Sequence, residues 1–296
     1  MTSRCNLACS YCVLENAPFQ LKQELDLDGK ITLISHLYHQ LNFRKLTLSG
    51  GEALLIGKNP PSDFVKLLKF LRSLKSKNPK DNLQIYLYTN GLKLNKSVAK
   101  EMNGVIDEVS ITIDSSDTEL LRKIGRNSGS TIDYFSNSIE VCKNLSDIGI
   151  KMTLHTVISS LNYQKIGIES ADILSEIKKK DISINKWKFY QYMSYDNEVI
   201  DKKHIIEIEQ FEKTTQQISK TLEGSGINFH FKDNNEMNSS LFNILPYGSA
   251  QYMIEGSSWS TTKRSEDLRK YQSIEEVFSE NQDSLQSFLK FHSFNL

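Results

Sequence analysis

Three of the four cysteines lie close together near the start of the sequence, as Cys5-Asn-Leu-Ala-Cys9-Ser-Tyr-Cys12. The spacing C-x3-C-x2-C lets one short loop bring three thiolates around a common centre. Three thiolates suit a cube of four irons and four sulfides in which one iron stays open to an outside ligand. A tetrahedral zinc site would need a fourth ligand, such as a histidine. The spacing therefore favours an iron–sulfur site, and zinc binding and incidental thiols are the alternatives.

The composition disfavours several classes of protein. Among 296 residues, 36 Lys and Arg balance 36 Asp and Glu, whereas proteins that coat nucleic acids or anionic membranes normally carry a basic excess. No apolar run approaches the roughly 18 residues that span a bilayer, and the N-terminus lacks a signal-peptide pattern. We therefore expect a soluble, cytoplasmic protein that binds neither nucleic acid nor membranes. The fourth cysteine, Cys142, falls in an apolar helical pattern and is predicted to be a buried core residue.

Strand-like and helix-like segments alternate through the first two thirds of the chain. Repeated units of this kind predict an α/β fold, with a parallel sheet and helices outside it. Ligands of such sheets bind at the carboxyl ends of the strands, so the functional side chains should lie there. The predicted strands are residues 44–52, 83–91, 108–114, 151–158 and 185–192.

The last third of the chain has a different pattern. We predict a barrel-like domain over residues 1–205 and an extension over residues 206–296 that caps the barrel and completes the substrate site. The extension contains a helical segment at 207–222, and its end, 273–291, is predicted to be helical too. Short strand candidates between them are residues 227–231, 241–245 and 251–254.

A second motif, Gly50-Gly51-Glu52, follows the first predicted strand. Two glycines let the backbone approach a ligand closely. Together with the cysteine loop, in which Tyr11 precedes the last cysteine, this motif resembles the radical S-adenosylmethionine (SAM) superfamily. The resemblance implies a partial (β/α)6 barrel similar to a TIM barrel, a 4Fe–4S cluster, and SAM that is cleaved to a 5′-deoxyadenosyl radical. It also implies that Cys5, Cys9 and Cys12 ligate the cluster and that SAM contacts Tyr11, Gly50, Gly51, Glu52, Asn90 and Ser115.

Lysines recur on one face of the predicted strands. In Lys45-Leu-Thr-Leu-Ser49, period-two alternation places the lysine opposite the leucines, which would pack against the helices. Lys186 and Lys188 share a face in the same way. Lysines that point into a barrel need an anionic partner because an unpaired buried ammonium group is costly. The alternative is that these strand ends are solvated and the lysines extend into water.

Longer motifs resemble the viperin family of antiviral radical SAM enzymes. The resemblance spans about two thirds of the chain and includes Asp114-Ser-Ser-Asp117, Ile124-Gly-Arg126 and Lys186-Trp-Lys-Phe-Tyr-Gln191, with further matches at residues 45–52, 156–158 and 233–237 and at Tyr247. It implies a lyase that dehydrates a nucleoside triphosphate (CTP, UTP or GTP) to its 3′-deoxy-3′,4′-didehydro analogue, a chain terminator used in antiviral or anti-phage defence. A reductant such as flavodoxin or ferredoxin would supply electrons, and we expect a monomer.

The same resemblance implies roles for individual residues. Arg126 would contact SAM or the phosphates, and Tyr247 would donate a hydrogen atom or a proton late in the reaction. The substrate would be bound by Lys45, Lys186, Lys188, His155 and Asn234.

The sequence departs from the viperin pattern at several positions. Thr153 stands where the family often has a phosphate-binding lysine, His155 replaces an asparagine, and Ala53 replaces a proline. Only four residues precede Cys5, so we expect the first barrel strand either to be missing or to be supplied by a segment that precedes residue 1. These departures leave two alternatives: a radical SAM enzyme for another anionic substrate, or a non-catalytic iron–sulfur or zinc protein.

Overall fold

A six-stranded parallel sheet occupies the centre of the computed structural model, which describes residues 1–12, 23–127, 132–238, 242–253 and 262–292. The strands pair in chain order, and each strand runs parallel to the one before it. A sheet that always adds its next strand on the same side curves toward a barrel. The predicted α/β architecture with a partial (β/α)6 barrel is therefore confirmed. The strands are β1 (Lys45–Leu48), β2 (Gln84–Thr89), β3 (Glu108–Thr112), β4 (Lys151–Ile158), β5 (Lys186–Gln191) and β6 (Asn228–Lys232).

Helices connect the strands and cover the outside of the sheet. Several begin at an Asp or Asn whose side chain accepts a backbone N–H of the first turn, as Asp26, Asn95 and Asp133 do. The described helices are α1 (Leu27–His39), α2 (Ser62–Ser73), α3 (Lys96–Met102), α4 (Thr118–Ile124), α5 (Tyr134–Asp147), α6 (Ile166–Lys179), α7 (Glu198–His204), α8 (Ile208–Leu222), α9 (Asn234–Asn238), α10 (Ile274–Val277) and α11 (Gln282–His292).

The two faces of the sheet differ as the period-two alternation predicts. In β1, Leu46 and Leu48 are buried against the helices while Lys45 is exposed on the opposite face. In β5, the side chains of Trp187 and Phe189 are fully buried and stack with ring centroids 4.9 Å apart. The apolar core thus lies between sheet and helices, and the inner face of the curved sheet, here called the lumen, is lined largely by polar side chains.

The parallel sheet extends beyond residue 205, where the sequence placed the end of the βα pattern. Helix α8 packs against α6, and β6 then pairs with β5. The prediction that this pattern ends at residue 205 is wrong because α8 and β6 form one more unit. The strand predicted at residues 227–231 is confirmed as β6, but its parallel pairing with β5 was not predicted. A division into barrel and capping extension remains a prediction, with its boundary moved to about residue 232.

A second, antiparallel sheet follows the barrel strands. It comprises β7 (Phe242–Ile244), β8 (Ser249–Tyr252) and β9 (Lys263–Asp267). This confirms strands near two predicted segments, although residues 241 and 254 lie outside the described part of the chain. Aromatic contacts attach the small sheet to the core, with the ring centroids of Phe242 and Phe288 4.7 Å apart. No helix in the described ranges is long and apolar enough to span a membrane.

Candidate functional site

The cysteine loop lies over the carboxyl ends of the parallel strands. The backbone N–H of Ser10 donates to the carbonyl of Ile124, at the end of α4, over 2.8 Å. On the other side, the Asn90 amide, directly after β2, donates to Asn6 over 2.9 Å and lies 3.8 Å from the sulfur of Cys5. The loop is therefore held where ligands of parallel sheets bind.

The three thiols of this loop differ in exposure. Cys5 is exposed, Cys12 is half-buried, and Cys9 is buried, so that desolvation raises the pKa of the Cys9 thiol to about 12. The pKa of Cys5 is raised as well, by desolvation first and then by the nearby carboxylate of Glu52. Cys142 is buried in α5, which confirms its predicted place in the core. Cys5 and Cys9 would therefore need a bound cation to become thiolates.

The arrangement of donors bears on the kind of metal site. In the described part of the chain, no three Cys, His, Asp or Glu side chains are spaced to hold a single metal ion. A mononuclear zinc site needs its sulfurs at about 2.3 Å from one metal, whereas the thiolates of an iron–sulfur cube ligate different irons and lie farther apart. Three thiols on one short loop are the donor set that a cube with one open iron requires.

The Gly50-Gly51-Glu52 motif packs against the chain that leads into the cysteine loop. The N–H groups of Gly51 and Glu52 donate to the carbonyls of Thr2 and Arg4, at 2.7 and 2.8 Å. A Cβ at either glycine would collide with those carbonyls. In this structure the glycines thus permit close approach of the protein's own backbone, where the sequence suggested approach of a ligand.

Glu52 links the motif to the end of β2. One carboxylate oxygen accepts from the Thr89 hydroxyl over 2.8 Å and from the N–H of Leu54 over 3.1 Å, while the other accepts from the N–H of Asn90 over 2.8 Å. Burial nevertheless raises the pKa of this carboxyl group. These bonds fix Glu52 and Asn90, two of the predicted SAM contacts, beside Cys5.

A buried network anchors the cysteine loop from below. The Arg126 guanidinium lies 2.9 Å from the Asp114 carboxylate, which also accepts from the Tyr11 hydroxyl over 2.6 Å. Arg126 donates to that hydroxyl as well. Arg126 and Asp114 are both buried, and the neighbouring carboxylate holds the pKa of Arg126 well above its usual range despite desolvation. Arg126 thus makes these contacts with protein groups under the loop, and its predicted contact with SAM or the phosphates stays a prediction.

Gly125 explains why the Ile-Gly-Arg element has this sequence. It ends α4 with a left-handed φ of 91°, and a Cβ there would collide with the carbonyl oxygen of Ala8 in the cysteine loop. Sequence reasoning identified the motif but not this contact. The glycine at the end of a predicted helix was the available signal.

Ser115, another predicted SAM contact, follows β3 and is fully buried. Its hydroxyl donates to the carboxylate of Glu169 on α6 and accepts from the N–H of Asp117 over 2.9 Å. The structure therefore places Ser115 at the carboxyl edge of the sheet, but its hydrogen bonds run to its own loop and to α6.

Lysines from three strands meet in the lumen. The sequence predicted Lys45, Lys186 and Lys188, and β6 adds Lys232. Desolvation lowers the pKa of Lys188, as do the neighbouring ammonium groups of Lys186, Lys232 and Lys45, while Glu108 opposes them. None of the four lysines pairs with a carboxylate within the described ranges. The strands thus bring Lys186, Lys232 and Lys45 close enough to act on Lys188, while Lys45 is also exposed to water, and the anionic partner of these lysines stays a prediction.

Two departures noted in the sequence, Thr153 and His155, lie on the lumen face of β4. The Thr153 hydroxyl donates to Glu108 over 2.6 Å, and Thr153 pairs in register with Lys186. His155 lies between the rings of Tyr88 and Tyr190, with centroids 4.7 and 5.2 Å away. Burial, together with the charge of Lys188, lowers the pKa of His155 to about 3. His155 is therefore a neutral hydrogen-bonding group at ordinary pH.

The last two predicted site residues lie after the parallel strands. The Asn234 backbone N–H donates to the Gln191 side chain at the end of β5. The side-chain oxygen of Asn234 is buried and has no hydrogen-bond partner in the described chain. Tyr247 lies in the turn between β7 and β8 and is half-buried. Asn234 is thus connected to the carboxyl end of a lumen strand, whereas the place of Tyr247 relative to the substrate stays a prediction.

A family model described as the radical SAM superfamily matches residues 1–167, more than half of the chain. The matched region contains the cysteine loop, the Gly-Gly-Glu motif and β1 to β4.

Curated relatives have similar sequences over this region and beyond it. A probable GTP 3',8-cyclase of Methanococcus aeolicus is 28% identical over 204 residues, which cover 63% of this chain and 62% of that protein. The GTP 3',8-cyclase of Staphylococcus carnosus is 25% identical over 206 residues, which cover 67% of this chain and 54% of that protein. The chain therefore spans less than two thirds of the length of either relative.

Solved structures share the fold at low sequence identity. SuiB of Streptococcus suis bound to SAM superimposes with a TM-score of 0.65 and 12% identity over 99% of this chain and 66% of that one. The enzyme anSMEcpe with bound SAM and a peptide superimposes with a TM-score of 0.69 and 17% identity over 99% of this chain and 82% of that one. At such identities the likeness concerns the fold alone.

Proposed function

The chain belongs to the radical SAM superfamily, and from this premise we propose that it is a nucleotide dehydratase of the viperin type. Enzymes of this superfamily use a 4Fe–4S cluster and SAM, which together supply a 5′-deoxyadenosyl radical that removes a hydrogen atom from the substrate. The resemblance to viperin in the longer motifs supports the finer assignment, as does the chemistry of the lumen.

The cluster and SAM find suitable groups at the carboxyl edge of the sheet. Cys5, Cys9 and Cys12 would hold the irons, and Glu52 and Asn90 are fixed beside Cys5. The buried Asp114–Arg126 pair would keep Tyr11 and the loop in place. These groups would position the cluster and SAM, and they are distinct from the lysines of the lumen.

The observation that carries the substrate class is the cluster of Lys45, Lys186, Lys188 and Lys232. The ammonium groups of Lys186, Lys232 and Lys45 repel that of Lys188, and Glu108 opposes them, so a bound polyanion would relieve the repulsion. A nucleoside triphosphate has the needed charge, and its ribose could reach the carboxyl edge while its phosphates lie among the lysines. The curated relatives named GTP 3',8-cyclase also act on a nucleoside triphosphate, which supports this class.

The proposed reaction removes water from the ribose. The 4′ hydrogen leaves as an atom, the C3′–O bond breaks, and the hydroxyl takes up a proton and departs as water. One electron then completes the 3′,4′ double bond, so the product differs from the substrate by one water. Tyr247 is the proposed donor late in this sequence, and a flavodoxin or ferredoxin is the proposed electron source. The product lacks the 3′ hydroxyl that polymerases extend, which suits a role in antiviral or anti-phage defence.

A second candidate is cyclisation of GTP, which the names of the curated relatives favour. Cyclisation joins two atoms of the same nucleotide and leaves its mass unchanged, whereas dehydration lowers the mass by one water. The two reactions are therefore distinguishable from a single spectrum.

Anaerobic reconstitution tests the proposal. The enzyme would be incubated with SAM, dithionite and CTP, UTP or GTP in separate reactions, and the products would be identified by mass spectrometry. We expect 5′-deoxyadenosine together with a nucleotide lighter by one water in at least one reaction. Formation of an isomer of GTP would support the cyclase and refute the dehydratase. Release of 5′-deoxyadenosine that does not depend on the nucleotide, with no changed nucleotide, would exclude both reactions.

A Cys9→Ala variant is the matched control for the cofactor. It should lose bound iron and all 5′-deoxyadenosine formation, while a Cys142→Ala variant should keep about four irons per chain. Full iron content in the Cys9→Ala protein would contradict the cluster assignment.

A further inference from the structure

We propose that Lys232 binds the phosphate group nearest the ribose of the nucleotide substrate. This inference rests on the proposed function but adds a residue, and a position along the phosphate chain, that the motifs did not provide. It would make β6 part of the binding site and not only the edge of the sheet.

The register of β5 and β6 places Lys232 on the lumen face. Lys188 pairs with His230, and Tyr190 pairs with Lys232. Phe229 and Phe231, which alternate with the polar residues of β6, pack against the core on the opposite face. The polar residues of β6 therefore face inward. Lys232 therefore belongs to the same surface as Lys188.

The lysines follow an order along the strand direction. Lys186 begins β5, Lys188 follows it, and Lys232 lies level with Tyr190. Each step of two residues advances about 6.6 Å toward the carboxyl edge. Lys232 is thus closer than Lys186 or Lys188 to the edge where the cysteine loop lies. Because the reacting ribose must be near that loop, the phosphate next to it meets Lys232 first.

Charge gives an independent reason for this role. Lys232 is half-buried, and its charge contributes to lowering the pKa of Lys188, so the ammonium groups of these two lysines on adjacent strands interact. Glu108 is the carboxylate that acts on Lys188 in the opposite sense, and it accepts a hydrogen bond from Thr153. Thr153 carries no charge, and Lys151, the lysine on the same face of β4, begins that strand and lies farther than Lys232 from the carboxyl edge.

Nucleotides with one, two or three phosphates show which phosphate each lysine contacts. If Lys232 contacts the phosphate nearest the ribose, a Lys232→Ala variant should bind the mono-, di- and triphosphate all about 10–100-fold more weakly, since a charge-assisted contact contributes about 1.5–3 kcal/mol. A Lys186→Ala variant should weaken the triphosphate more than the monophosphate. Lys232→Arg should restore most of the affinity because it keeps the charge.

The experiment uses the reconstituted holoenzyme with SAM and without reductant, so that nothing turns over. Binding of cytidine and guanosine 5′-mono-, di- and triphosphates would be measured by calorimetry. Lys220→Ala removes an exposed lysine on the outer helix α8 and serves as the control for net charge. SAM affinity and the melting temperature should match the wild type in every variant.

The outcomes separate this inference from the proposed function. Unchanged nucleotide affinity in Lys232→Ala would overturn the inference, and so would a loss confined to the triphosphate, since that would place Lys232 at the far phosphate. Normal binding by the wild type without any dehydrated product would refute the dehydratase and leave the role of Lys232 standing.

Discussion

Tyr11 is 103 residues from Asp114 in the sequence, yet its side chain meets those of Asp114 and Arg126 beneath the cysteine loop. Both partners of the ion pair are buried, so neither can be hydrated if the other is removed. The tyrosine hydroxyl fills a further site on the same carboxylate. The aromatic residue beside the last cysteine is thus a structural connection between the loop and β3.

Removing the arginine should both destabilise the protein and loosen the loop. We expect Arg126→Ala to lower the free energy of unfolding by about 3–5 kcal/mol because it leaves Asp114 charged and buried without its partner. Iron content after reconstitution should fall as well. Urea unfolding and iron analysis measure the two effects.

Arg122→Ala is the control for this variant. Arg122 pairs with Glu119 on the exposed surface of α4, and such pairs contribute about 0.5 kcal/mol or less. A similar loss of stability in both variants would contradict the argument.

At this scale the sequence predicted positions better than partners. The motif pattern identified Arg126 and Glu52 as functional, and both lie next to the cysteine loop. Their contacts could not be predicted because Asp114, Thr89 and Asn90 reach them only after separate strands have assembled. Cys142 was predictable because burial follows directly from its apolar helical pattern.

At the scale of elements, the end of α4 determines how the cysteine loop sits. Gly125 terminates the helix in a left-handed conformation and lies directly against Ala8. The N–H of Ser10 then reaches the carbonyl of Ile124, one residue earlier. The end of α4 and the cysteine loop therefore pack closely against each other.

Gly125→Ala should move the cysteine loop away from the end of α4. The added methyl group would collide with the Ala8 carbonyl, in addition to the roughly 1 kcal/mol cost of a left-handed alanine. We expect reduced iron incorporation and weaker SAM binding, measured on the reconstituted protein.

Gly149→Ala isolates the backbone cost. Gly149 has a similar φ of 74°, but a Cβ there would have no neighbour within 4 Å. It should lose about 1 kcal/mol of stability and retain its iron. Equal iron content in the two variants would show that the contact with Ala8 does not position the loop.

The elements themselves were predictable to different degrees. Strands β1 to β5 followed from period-two alternation and from the helical segments between them. Strand β6 is five residues long, follows a glycine-rich turn and carries two aromatics among polar residues, so its sequence resembles the irregular segments that come after it. Its partner β5, which decides that it is a strand of this sheet, is not visible in the local sequence.

At the scale of the whole molecule, a net charge of zero hides a separation of charge. Thirty-six basic residues balance 36 acidic ones, yet the ammonium groups of Lys186, Lys232 and Lys45 all act on Lys188 in the lumen. The surface pairs that balance the total, such as Lys143 with Asp147, lie on the outer helices. A neutral protein can therefore hold a strongly cationic site, provided that the fold directs like charges to one place.

Burial of a neutral histidine in that lumen makes the stability of the molecule depend on pH. The pKa of His155 is lowered from 6.5 to about 3, while the unfolded chain keeps the ordinary value. Between these limits the unfolded state binds a proton that the folded state does not bind. Stability should consequently be complete above about pH 6.5 and decrease as the pH falls toward 3, by up to about 1.4 kcal/mol per pH unit from this group.

Replacing the histidine should remove its share of this loss. In urea unfolding at neutral pH and at about pH 5, we expect His155→Asn to lose less stability on acidification than the wild type, because asparagine does not titrate. His39→Asn, at an exposed position of α1, should behave as the wild type does. If His155→Asn and the wild type lost equal stability, His155 would have to be protonated in the folded protein, and the ammonium group of Lys188 beside it would then face a second cation rather than a neutral ring.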